Sequence, residues 1–259
     1  MDLLFDVGNT NVSYALSGAS GLKGFDRVGI TEVSFLVQLR SAIIDVSEKH
    51  RIKRVAICSV NPKASDALIR ALMKLLPVDI YICDQNLPVD IETTVAHPER
   101  IGRDRLLSGL AAWREHRSAC IVVDMGSAIT VDLIDEEGVF RGGAIGPGLR
   151  MSAHGLSRNT AMLPEVKPAK VTHAIGRDTE SAIASGLYFG FMGMVRELVT
   201  RIRDEYGKPV EHVIATGGDC ALLAPEMDLF TDTAADLTLR GLSLCLPKEG
   251  GKKRSRSGQ

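Results

Sequence analysis

Apolar and polar positions along this chain fall into short apolar runs and longer amphipathic stretches, which is typical of an α/β protein. Short apolar runs bounded by turn residues predict buried strands, and broad apolar stripes at helical spacing predict helices that pack on them. Strands are expected at 3–7, 11–16, 54–60, 79–83, 139–143 and 212–218, with two more on either side of a turn within 119–135. Helices are expected at about 32–48, 67–76, 103–115, 178–204 and 236–245.

The second half of the chain repeats the opening motif of the first half. F-D-V-G-N-T at 5–10 corresponds to V-D-M-G-S-A at 123–128. In each copy an apolar strand carries an aspartate near its end, bends at a glycine and continues as a second strand. A repeat at the spacing of whole domains predicts two similar α/β halves, residues 1–116 and 117–247, that face each other across a cleft. The alternative is that D-x-G is only a common hairpin turn.

Charge and composition exclude several classes of protein. The 31 basic and 32 acidic residues nearly cancel, so no global field favours nucleic acid or a membrane surface. No apolar run approaches the roughly 18 residues of a membrane span, and the acidic second residue is unlike a signal peptide. The basic tail at 248–259 is expected to be a disordered end rather than a nucleic-acid-binding arm. Five cysteines without a C-x-x-C pair favour a reduced, cytoplasmic location.

The sequence lacks the usual nucleotide and transition-metal motifs: it contains no P-loop, dinucleotide fingerprint, H-E-x-x-H or C-x-x-C. The turn at 8–11 instead offers backbone N–H groups, an amide side chain and a hydroxyl that could hold phosphate. Asp6, just before it, is a hard oxygen ligand suited to Mg²⁺. The turn at 126–128 would lie opposite, and the glycine turn at 216–219 would let a base or ribose approach the backbone. This is the layout of the actin/hexokinase/sugar-kinase superfold.

Asp104 is the candidate catalytic base. It stands between Arg103 and Arg105 at the start of an apolar helix, where two guanidinium groups and the helix dipole would keep its carboxylate ionised. An ionised aspartate in a cleft can accept the proton of an attacking hydroxyl. The alternative is that Asp104 only supplies negative charge to a helix N-terminus.

Six motifs together resemble the type III pantothenate kinase family. In chain order they are D-V-G-N-T-N at 6–11, G-R-D-R-L-L at 102–107, D-M-G-S-A at 124–128, G-G-A-I-G-P-G at 142–148, G-R-D-T at 176–179 and T-G-G-D at 216–219. Each motif is weakly diagnostic by itself, whereas the ordered set is specific. The resemblance covers the chain from Leu3 to about Leu246.

The resemblance implies an actin-like fold of two ribonuclease-H-like α/β domains that face a nucleotide cleft. It implies a homodimer that transfers the γ-phosphoryl group of ATP to pantothenate, the first step toward coenzyme A. It also implies a need for Mg²⁺ and for a monovalent cation, K⁺ or NH₄⁺. The expected ligands are therefore ATP and pantothenate, with neither nucleic acid nor membrane as a partner.

The same resemblance assigns roles to individual residues. Asp104 matches the proton acceptor and Asp124 the monovalent-cation ligand, while Asp6 would lie in or near the Mg²⁺ shell. The residues that match ATP-binding positions are Asp6, Val7, Gly8, Asn9, Thr10, Asn11, Val12, Ser13 and Ser127. The residues that match pantothenate-binding positions are Gly102, Arg103, Asp104, Arg105 and Thr179.

Two positions depart from the family pattern. Ser127 replaces the usual threonine of D-x-G-T-A and retains its hydroxyl, so the ATP contact should survive. Val95 stands where the family often has a tyrosine, so one pantothenate contact is lost or replaced. Two other functions stay open, namely another kinase or phosphatase of the same superfold and a non-catalytic nucleotide-binding protein. Retention of the three aspartates Asp6, Asp104 and Asp124 favours catalysis.

Three glycines, Gly186, Gly190 and Gly193, interrupt the apolar helix expected at 178–204. Each costs about 1 kcal/mol relative to alanine inside a helix, so close packing against another surface is expected to offset that loss. The surface is either a partner chain or the protein's own core. The resemblance favours a partner chain, with Thr179 reaching the substrate pocket across a dimer interface.

Overall fold

The structure is a computed structural model that describes residues 1–30 and 34–247. Within those residues the strands are β1 (Asp2–Val7), β2 (Asn11–Gly18), β3 (Gly21–Gly29), β4 (Arg54–Ser59), β5 (Asp79–Ile82), β6 (Cys120–Met125), β7 (Ala128–Ile134), β8 (Phe140–Pro147), β9 (His212–Thr216) and β10 (Asp232–Thr233). The α-helices are α1 (Phe35–Lys49), α2 (Pro62–Leu75), α3 (Arg103–His116), α4 (Leu149–Arg158), α5 (Thr179–Tyr206), α6 (Cys220–Leu223) and α7 (Leu237–Cys245). The predicted tail at 248–259 lies outside the described residues.

The described strands form two five-stranded sheets with the same topology. The order is β3-β2-β1-β4-β5 in the first sheet and β8-β7-β6-β9-β10 in the second. In each sheet the first three strands along the chain pair antiparallel, and the fourth and fifth run parallel to the first. The duplication predicted from the two D-x-G motifs is therefore confirmed.

Helices cover both sheets from outside, and two more helices lie between the sheets. α1 and α2 pack on the outer face of the first sheet, where Leu39 and Leu68 are completely buried. α4 and α5 pack on the outer face of the second sheet, where Val195 and Val199 are completely buried. The inner faces of the two sheets enclose α3 and α7. The layers therefore alternate between helices and sheets across the molecule.

The two inner helices connect the halves, because each packs against the sheet of the other half. α3 precedes the second sheet in the chain and contacts β6 and β7 as well as β4, whereas α7 contacts β1, β2 and β4 of the first sheet. The two helices cross closely at Gly241, where a Cβ would overlap the Leu107 backbone, 2.6 Å from its carbonyl carbon. A boundary at 116/117 thus lies between the sheets, while the helices of the two halves pack across it.

β3 and α4 are not predicted from the sequence, because β3 has no apolar stripe and α4 is a short segment in which polar residues outnumber apolar ones. Among the nine residues of β3 only Val28 is buried, and α4 buries only two of its ten residues. The strand predicted at 139–143 continues to Pro147 through glycines, which carry no hydropathy signal. α2 begins at Pro62 rather than 67.

Among the described helices, α5 alone has a length and composition that would also suit a membrane span. The sequence predicts no segment apolar enough to span a membrane, and α5 is the exception. Core helices share these properties, and the apolar stripe of α5 packs on the second sheet. Only 39% of its most apolar window is buried, and Gly186, Gly190 and Gly193 are exposed. Much of α5 is therefore accessible in a single chain.

Gly241→Ala should destabilise the fold, because the added methyl group would overlap backbone atoms of Leu107 that cannot rotate away. Overpacking of this kind costs about 1–3 kcal/mol. Gly155→Ala is the matched control, since Gly155 also lies in a helix but a Cβ there meets open space. The control should be neutral or stabilise the protein by about 0.5–1 kcal/mol. Urea unfolding measures both effects, and equal stability of the two variants would contradict a tight α3–α7 crossing.

Candidate active site

The two D-x-G turns occupy equivalent places in their sheets. Asp6 lies near the end of β1 and Asp124 near the end of β6, and these are the central strands of the two sheets. The Gly8 amide donates to the carbonyl three residues further on at 3.0 Å, and the Gly126 amide donates to the carbonyl two residues further on at 3.1 Å. The two aspartates therefore hold corresponding positions in the two halves.

A side-chain hydrogen bond joins the two turns. The hydroxyl oxygens of Thr10 and Ser127 lie 2.6 Å apart. The turn at 8–11 is thus opposite the turn at 126–128, as the sequence predicts, and the pair marks a cleft between the halves. Serine carries a side-chain hydroxyl like the threonine usual at this position, and the Ser127 hydroxyl faces the first turn.

The segment 6–13 divides into accessible and buried positions. Its polar residues are exposed or half-buried, and they cluster at the bend at 8–11. Val7 and Val12 are completely buried in the core between the first sheet and its outer helices. A ligand in the cleft can therefore meet these two valines only through their backbone groups.

The glycine turn after β9 packs against the second D-x-G turn. Gly217 has a φ of +96°, and a Cβ there would overlap the Asp124 carboxylate and lie 2.6 Å from the Met125 amide nitrogen. The Asp219 amide donates to the Met125 carbonyl at 2.8 Å. Only glycine allows the turn to lie this close to Asp124.

A cavity of about 480 Å³ adjoins this glycine turn. β3, the glycine turn and the short helices after it form its walls, which include Phe25, Arg27, Gly218, Ala221 and Pro225. Its volume lies within the roughly 300–1,000 Å³ of ordinary ligand pockets. Small and apolar residues line most of it, which suits a planar, partly apolar group.

Asp104 lies in the first turn of α3 with its carboxylate folded back over Gly102. A Cβ at position 102 would overlap Oδ1 of Asp104, which explains the glycine of G-R-D-R. The Arg105 amide donates to the same oxygen at 2.9 Å. The backbone thus fixes the direction of this carboxylate beside the two D-x-G turns.

The three aspartates Asp6, Asp104 and Asp124 lie close enough to repel one another. Burial, together with repulsion from Asp104 and Asp124, raises the pKa of Asp6 to about 8. Burial, together with repulsion from Asp104 and Asp132, raises the pKa of Asp124 to about 7. Burial also raises the pKa of Asp104, although the Arg105 amide and guanidinium oppose the shift. Such a buried carboxylate cluster favours bound cations.

Burial outweighs the expected effect of the neighbouring guanidinium groups on Asp104, although Arg105 does lower the pKa of that carboxyl group. Arg103 forms an ion pair with Asp84, and Arg105 forms one with Asp132. Both groups are engaged by other carboxylates, and the effect of burial on the pKa of Asp104 exceeds theirs. A carboxyl group with a raised pKa exchanges protons nearer neutral pH, which still suits a general base.

Two charged residues of the site carry no motif signal. Arg27 lies on β3, and its field opposes the rise in pKa of Asp6 and Asp124. It donates to the Ala235 carbonyl of the other half at 3.1 Å, and among the described residues its Nε is buried without a partner. Asp132 is 1% exposed on β7. Asp132 could have been noticed in the sequence, because it is an aspartate inside an apolar strand. No feature of the sequence indicated Arg27.

In residues 1–30 and 34–247, no group of three or more histidine, cysteine, aspartate or glutamate side chains is arranged to hold a metal ion by itself. Asp6 and Asp124 each offer one half-buried carboxylate, a hard donor that suits Mg²⁺ or a monovalent cation. Desolvation, followed by repulsion from neighbouring aspartates, raises the pKa of both groups, and a bound cation would oppose that rise. A cation therefore fits at either residue, with phosphate and water oxygens as further ligands.

Thr179 and Val95 make no hydrogen bond with the three aspartates in the part of the chain that the structure describes. Thr179 is exposed in the first turn of α5, and it makes no hydrogen bond to the cleft within the part of the chain described. Val95 packs on the core beneath α3, close to Gly142 of the G-G-A-I-G-P-G motif. Val95 is thus near the G-G-A-I-G-P-G motif, whereas Thr179 is an exposed residue at the start of α5.

Comparison with known proteins places the chain among kinases of one family. A family model described as "Type III pantothenate kinase" matches residues 2–201. The chain is 36% identical to the type III pantothenate kinase of Zymomonas mobilis over 265 residues, covering 98% of this chain and 94% of that protein. It is also 36% identical to the type III pantothenate kinase of Gluconobacter oxydans, covering 97% of this chain and 94% of that protein.

Solved structures share the fold at lower sequence identity. A Campylobacter jejuni protein described as a Baf family transcriptional activator matches with a TM-score of 0.60 and 21% identity, covering 94% of this chain and 96% of that one. Component A of the (R)-2-hydroxyglutaryl-CoA dehydratase of Acidaminococcus fermentans matches with a TM-score of 0.51 and 14% identity, covering 94% and 95%. These similarities concern the fold and confirm the expected α/β architecture.

Asp6→Asn should stabilise the metal-free protein, increasingly so as the pH rises. The pKa of Asp6 rises from 3.8 to about 8 on folding. Below about pH 4 the group is protonated in both states, whereas between about pH 4 and 8 folding must take up a proton, so wild-type stability falls with rising pH. The asparagine variant lacks this titration.

Thermal unfolding in EDTA between about pH 5 and 8.5 measures the effect. The Tm of the variant should exceed that of the wild type by a margin that widens with pH. Asp66→Asn, at an exposed position of α2, is the control and should show no such trend. A margin independent of pH for Asp6→Asn would contradict a buried, proton-binding Asp6.

Proposed function

The chain belongs to the type III pantothenate kinase family and phosphorylates pantothenate in coenzyme A biosynthesis, and we propose that it does so by the following use of its cleft. The observation that carries the proposal is the contact between the turns at 8–11 and 126–128 beside Asp104. One polar turn from each half and a candidate base thereby share one site.

ATP lies in the cleft with its phosphates between the two turns. Backbone N–H groups of the segment 6–13 and the hydroxyls of Thr10 and Ser127 hold the phosphate oxygens, as oriented backbone amides do in other anion sites. The 2.6 Å contact brings one hydroxyl from each half to the same point, where a phosphate oxygen would replace the hydrogen bond between them. The adenosine part occupies the cavity beside Gly218, where small residues allow a base to approach the backbone.

Asp104 accepts the proton of the primary hydroxyl of pantothenate. The hydroxyl oxygen attacks the γ-phosphorus, the bond from that phosphorus to the β–γ bridging oxygen breaks, and ADP leaves. Phosphoryl transfer depends mainly on positioning and charge neutralisation. The fixed direction of the Asp104 carboxylate over Gly102, held by the Arg105 amide, supports this role.

Pantothenate lies along the segment 102–105. Gly102 leaves room beside Asp104, and the half-buried Arg105 offers its guanidinium to the polar groups of the substrate. Arg103 borders the same segment, although its guanidinium is paired with Asp84. Both guanidinium groups are paired, but Arg105 directly follows Asp104, and within residues 1–30 and 34–247 its Nη1 donates to no acceptor. Of the two arginines, Arg105 is therefore the one we assign to direct binding.

Cations complete the charge balance of the site. Asp6 would hold Mg²⁺ that arrives with ATP, and Asp124 would hold K⁺ or NH₄⁺. Both ions would offset negative charge on the phosphates and on the aspartates. The raised pKa values of the two carboxyl groups support this assignment, because they indicate unmet negative charge.

A homodimer brings Thr179 to the substrate. Gly186, Gly190 and Gly193 lie on one exposed stripe of α5, and a Cβ at each of them meets open space within the chain. The protein's own core therefore does not explain the glycines, and packing against a partner chain would. Thr179 opens the same helix, so a partner across this stripe would receive it near its own pantothenate site.

The alternatives are less well supported. A non-catalytic nucleotide-binding protein would need the two turns but not a carboxylate fixed as Asp104 is. Another kinase or phosphatase of the superfold would share the cleft, and the family match separates this chain from those classes. The cytoplasm is the proposed location, and the five cysteines are free thiols, as its reducing conditions require.

Asp104→Asn should lower turnover by at least about 100-fold, because the amide keeps the shape of the side chain but cannot accept a proton. ATP binding, measured by calorimetry, should survive. The wild type should release ADP with pantothenate but not with acetate or with a panel of sugars. Near-normal turnover of the variant would exclude Asp104 as the base, and ADP release with a sugar alone would contradict the assigned substrate.

Activity should be low in Na⁺ and recover when K⁺ or NH₄⁺ is added at constant ionic strength. The expected reason is that Asp124 holds the monovalent cation next to the phosphates. Asp124→Ala should abolish the K⁺ response, which initial rates across a K⁺ titration would measure. Equal wild-type rates in Na⁺ and K⁺ would refute this assignment.

Gly190→Leu should weaken dimerisation and activity together, because a bulky side chain would stand in the glycine stripe. Sedimentation velocity and initial rates at low micromolar protein measure the two effects. Glu205→Leu, at an exposed position near the other end of α5, is the control and should change neither. A fully active monomeric variant would show that Thr179 is not needed from a partner.

A further inference from the structure

We propose that Asp132 is a positioning residue for pantothenate: it holds the Arg105 guanidinium so that the free edge of that group faces the substrate beside Asp104. The inference deepens the proposed function and rests on the binding role given there to Arg105. Asp132 belongs to none of the segments that the resemblance assigns to ATP or pantothenate.

The contact between the two side chains is bidentate. Nε of Arg105 donates to Oδ2 of Asp132 at 3.0 Å and to Oδ1 at 3.2 Å, and Nη2 donates to Oδ1 as well. The Asp132 side chain is 2% exposed and that of Arg105 is 16% exposed. The carboxylate is therefore the fixed, internal partner, and the guanidinium extends from it toward the cleft.

One edge of the guanidinium is left for a ligand. The group has five N–H donors in a rigid plane, and the pair with Asp132 engages Nε and Nη2. Within residues 1–30 and 34–247, Nη1 of Arg105 donates to no acceptor. Because Arg105 directly follows Asp104 in the chain, this edge suits a carboxylate or hydroxyl of a substrate whose reacting hydroxyl lies at Asp104.

The surroundings of the pair restrict its orientation. The Arg105 guanidinium carbon lies 5.5 Å from the centroid of the Phe140 ring on β8, which limits the plane of the group. On the same strand, a Cβ at Gly143 would overlap the Val131 carbonyl oxygen and lie 2.7 Å from Oδ1 of Asp132. The second glycine of G-G-A-I-G-P-G thus lets β8 lie close to β7 and leaves room for the carboxylate. Two neighbouring strands therefore contribute to the position of one guanidinium.

A second buried ion pair at the end of β7 provides a contrast. Asp135 is completely buried and pairs with Arg141, and its Oδ1 accepts hydrogen bonds from the Glu137 and Val139 amides. That pair fastens the turn between β7 and β8, and the Arg141 side chain is 41% exposed. Asp135 is therefore a matched control for the loss of a buried carboxylate that has no part in substrate binding.

The test compares Asp132→Asn, Arg105→Gln, the double variant and Asp135→Asn in the full chain. Initial rates with pantothenate and ATP varied separately give the two KM values, and thermal unfolding gives stability. Asp132→Asn should raise the KM for pantothenate about tenfold or more, as expected when a binding group is misplaced, and leave the KM for ATP within about twofold. Arg105→Gln should raise the KM for pantothenate at least as much. Asp135→Asn should lower the Tm and leave both KM values unchanged.

The double variant tests whether Asp132 acts through Arg105. Its KM for pantothenate should equal that of Arg105→Gln, because the group that Asp132 positions is already lost. A further rise in the double variant would overturn the inference, as would a normal KM in folded Asp132→Asn. Where Asp132→Asn alone does not fold, the double variant decides, since its neutral amide pair leaves no unpaired buried charge. A normal KM in Arg105→Gln would instead refute the proposed binding role of Arg105.

Discussion

The partial burial of three carboxylates at the junction of the two halves is the constraint on which the rest of the structure depends. Asp6, Asp104 and Asp124 repel one another, and burial raises the pKa of each. Such a cluster opposes folding, so the stability of the chain comes from the layers around it, two sheets with buried apolar side chains on both faces. The same negative charge is the basis of the proposed binding of cations together with a nucleotide.

Glycines bring the backbone close enough to form this junction. Gly102 makes room for the Asp104 carboxylate, and Gly217 lies against Asp124. Gly148 has no space for a Cβ beneath the second D-x-G turn, where its amide donates to the Ser127 carbonyl at 3.1 Å. These glycines belong to three different motifs. Motifs that are distant in sequence are therefore parts of one packing arrangement, which is why the ordered set is more informative than any single motif.

The sequence predicted the features that depend on local apolar pattern and on the internal repeat. The duplicated sheets follow from two D-x-G motifs between long apolar strands, and the opposed turns at 8–11 and 126–128 follow from the duplication. β3 and α4 were not predicted because most of their residues are exposed or half-buried: β3 has no apolar stripe, and the stripe of α4 is short. Because β3 was not predicted, Arg27, the positively charged residue that β3 contributes to the cleft, was not predicted either.

The electrostatics of Asp104 were predictable only in part. Arg103 and Arg105 are its neighbours in sequence, but their guanidinium groups meet Asp84 and Asp132, which lie far from them along the chain. Charged residues that are adjacent in sequence affect each other strongly only where neither is paired with an oppositely charged residue from elsewhere in the fold. For the same reason the Arg105–Asp132 pair could not be predicted from spacing, since 27 residues and a complete strand separate its members.

The interleaved inner helices also affect how the chain folds as it is made. Leu4 and Ala56 of the first sheet are covered on their inner side by Leu239 and Leu242 of α7, near the end of the described chain. At about 5–20 residues per second, α7 leaves the ribosome roughly 10–30 s after β5. Throughout that interval the first sheet has an unfinished apolar face that a chaperone can bind. The N-terminal half, although it is a complete structural repeat, therefore completes its inner core only after α7 has been synthesised.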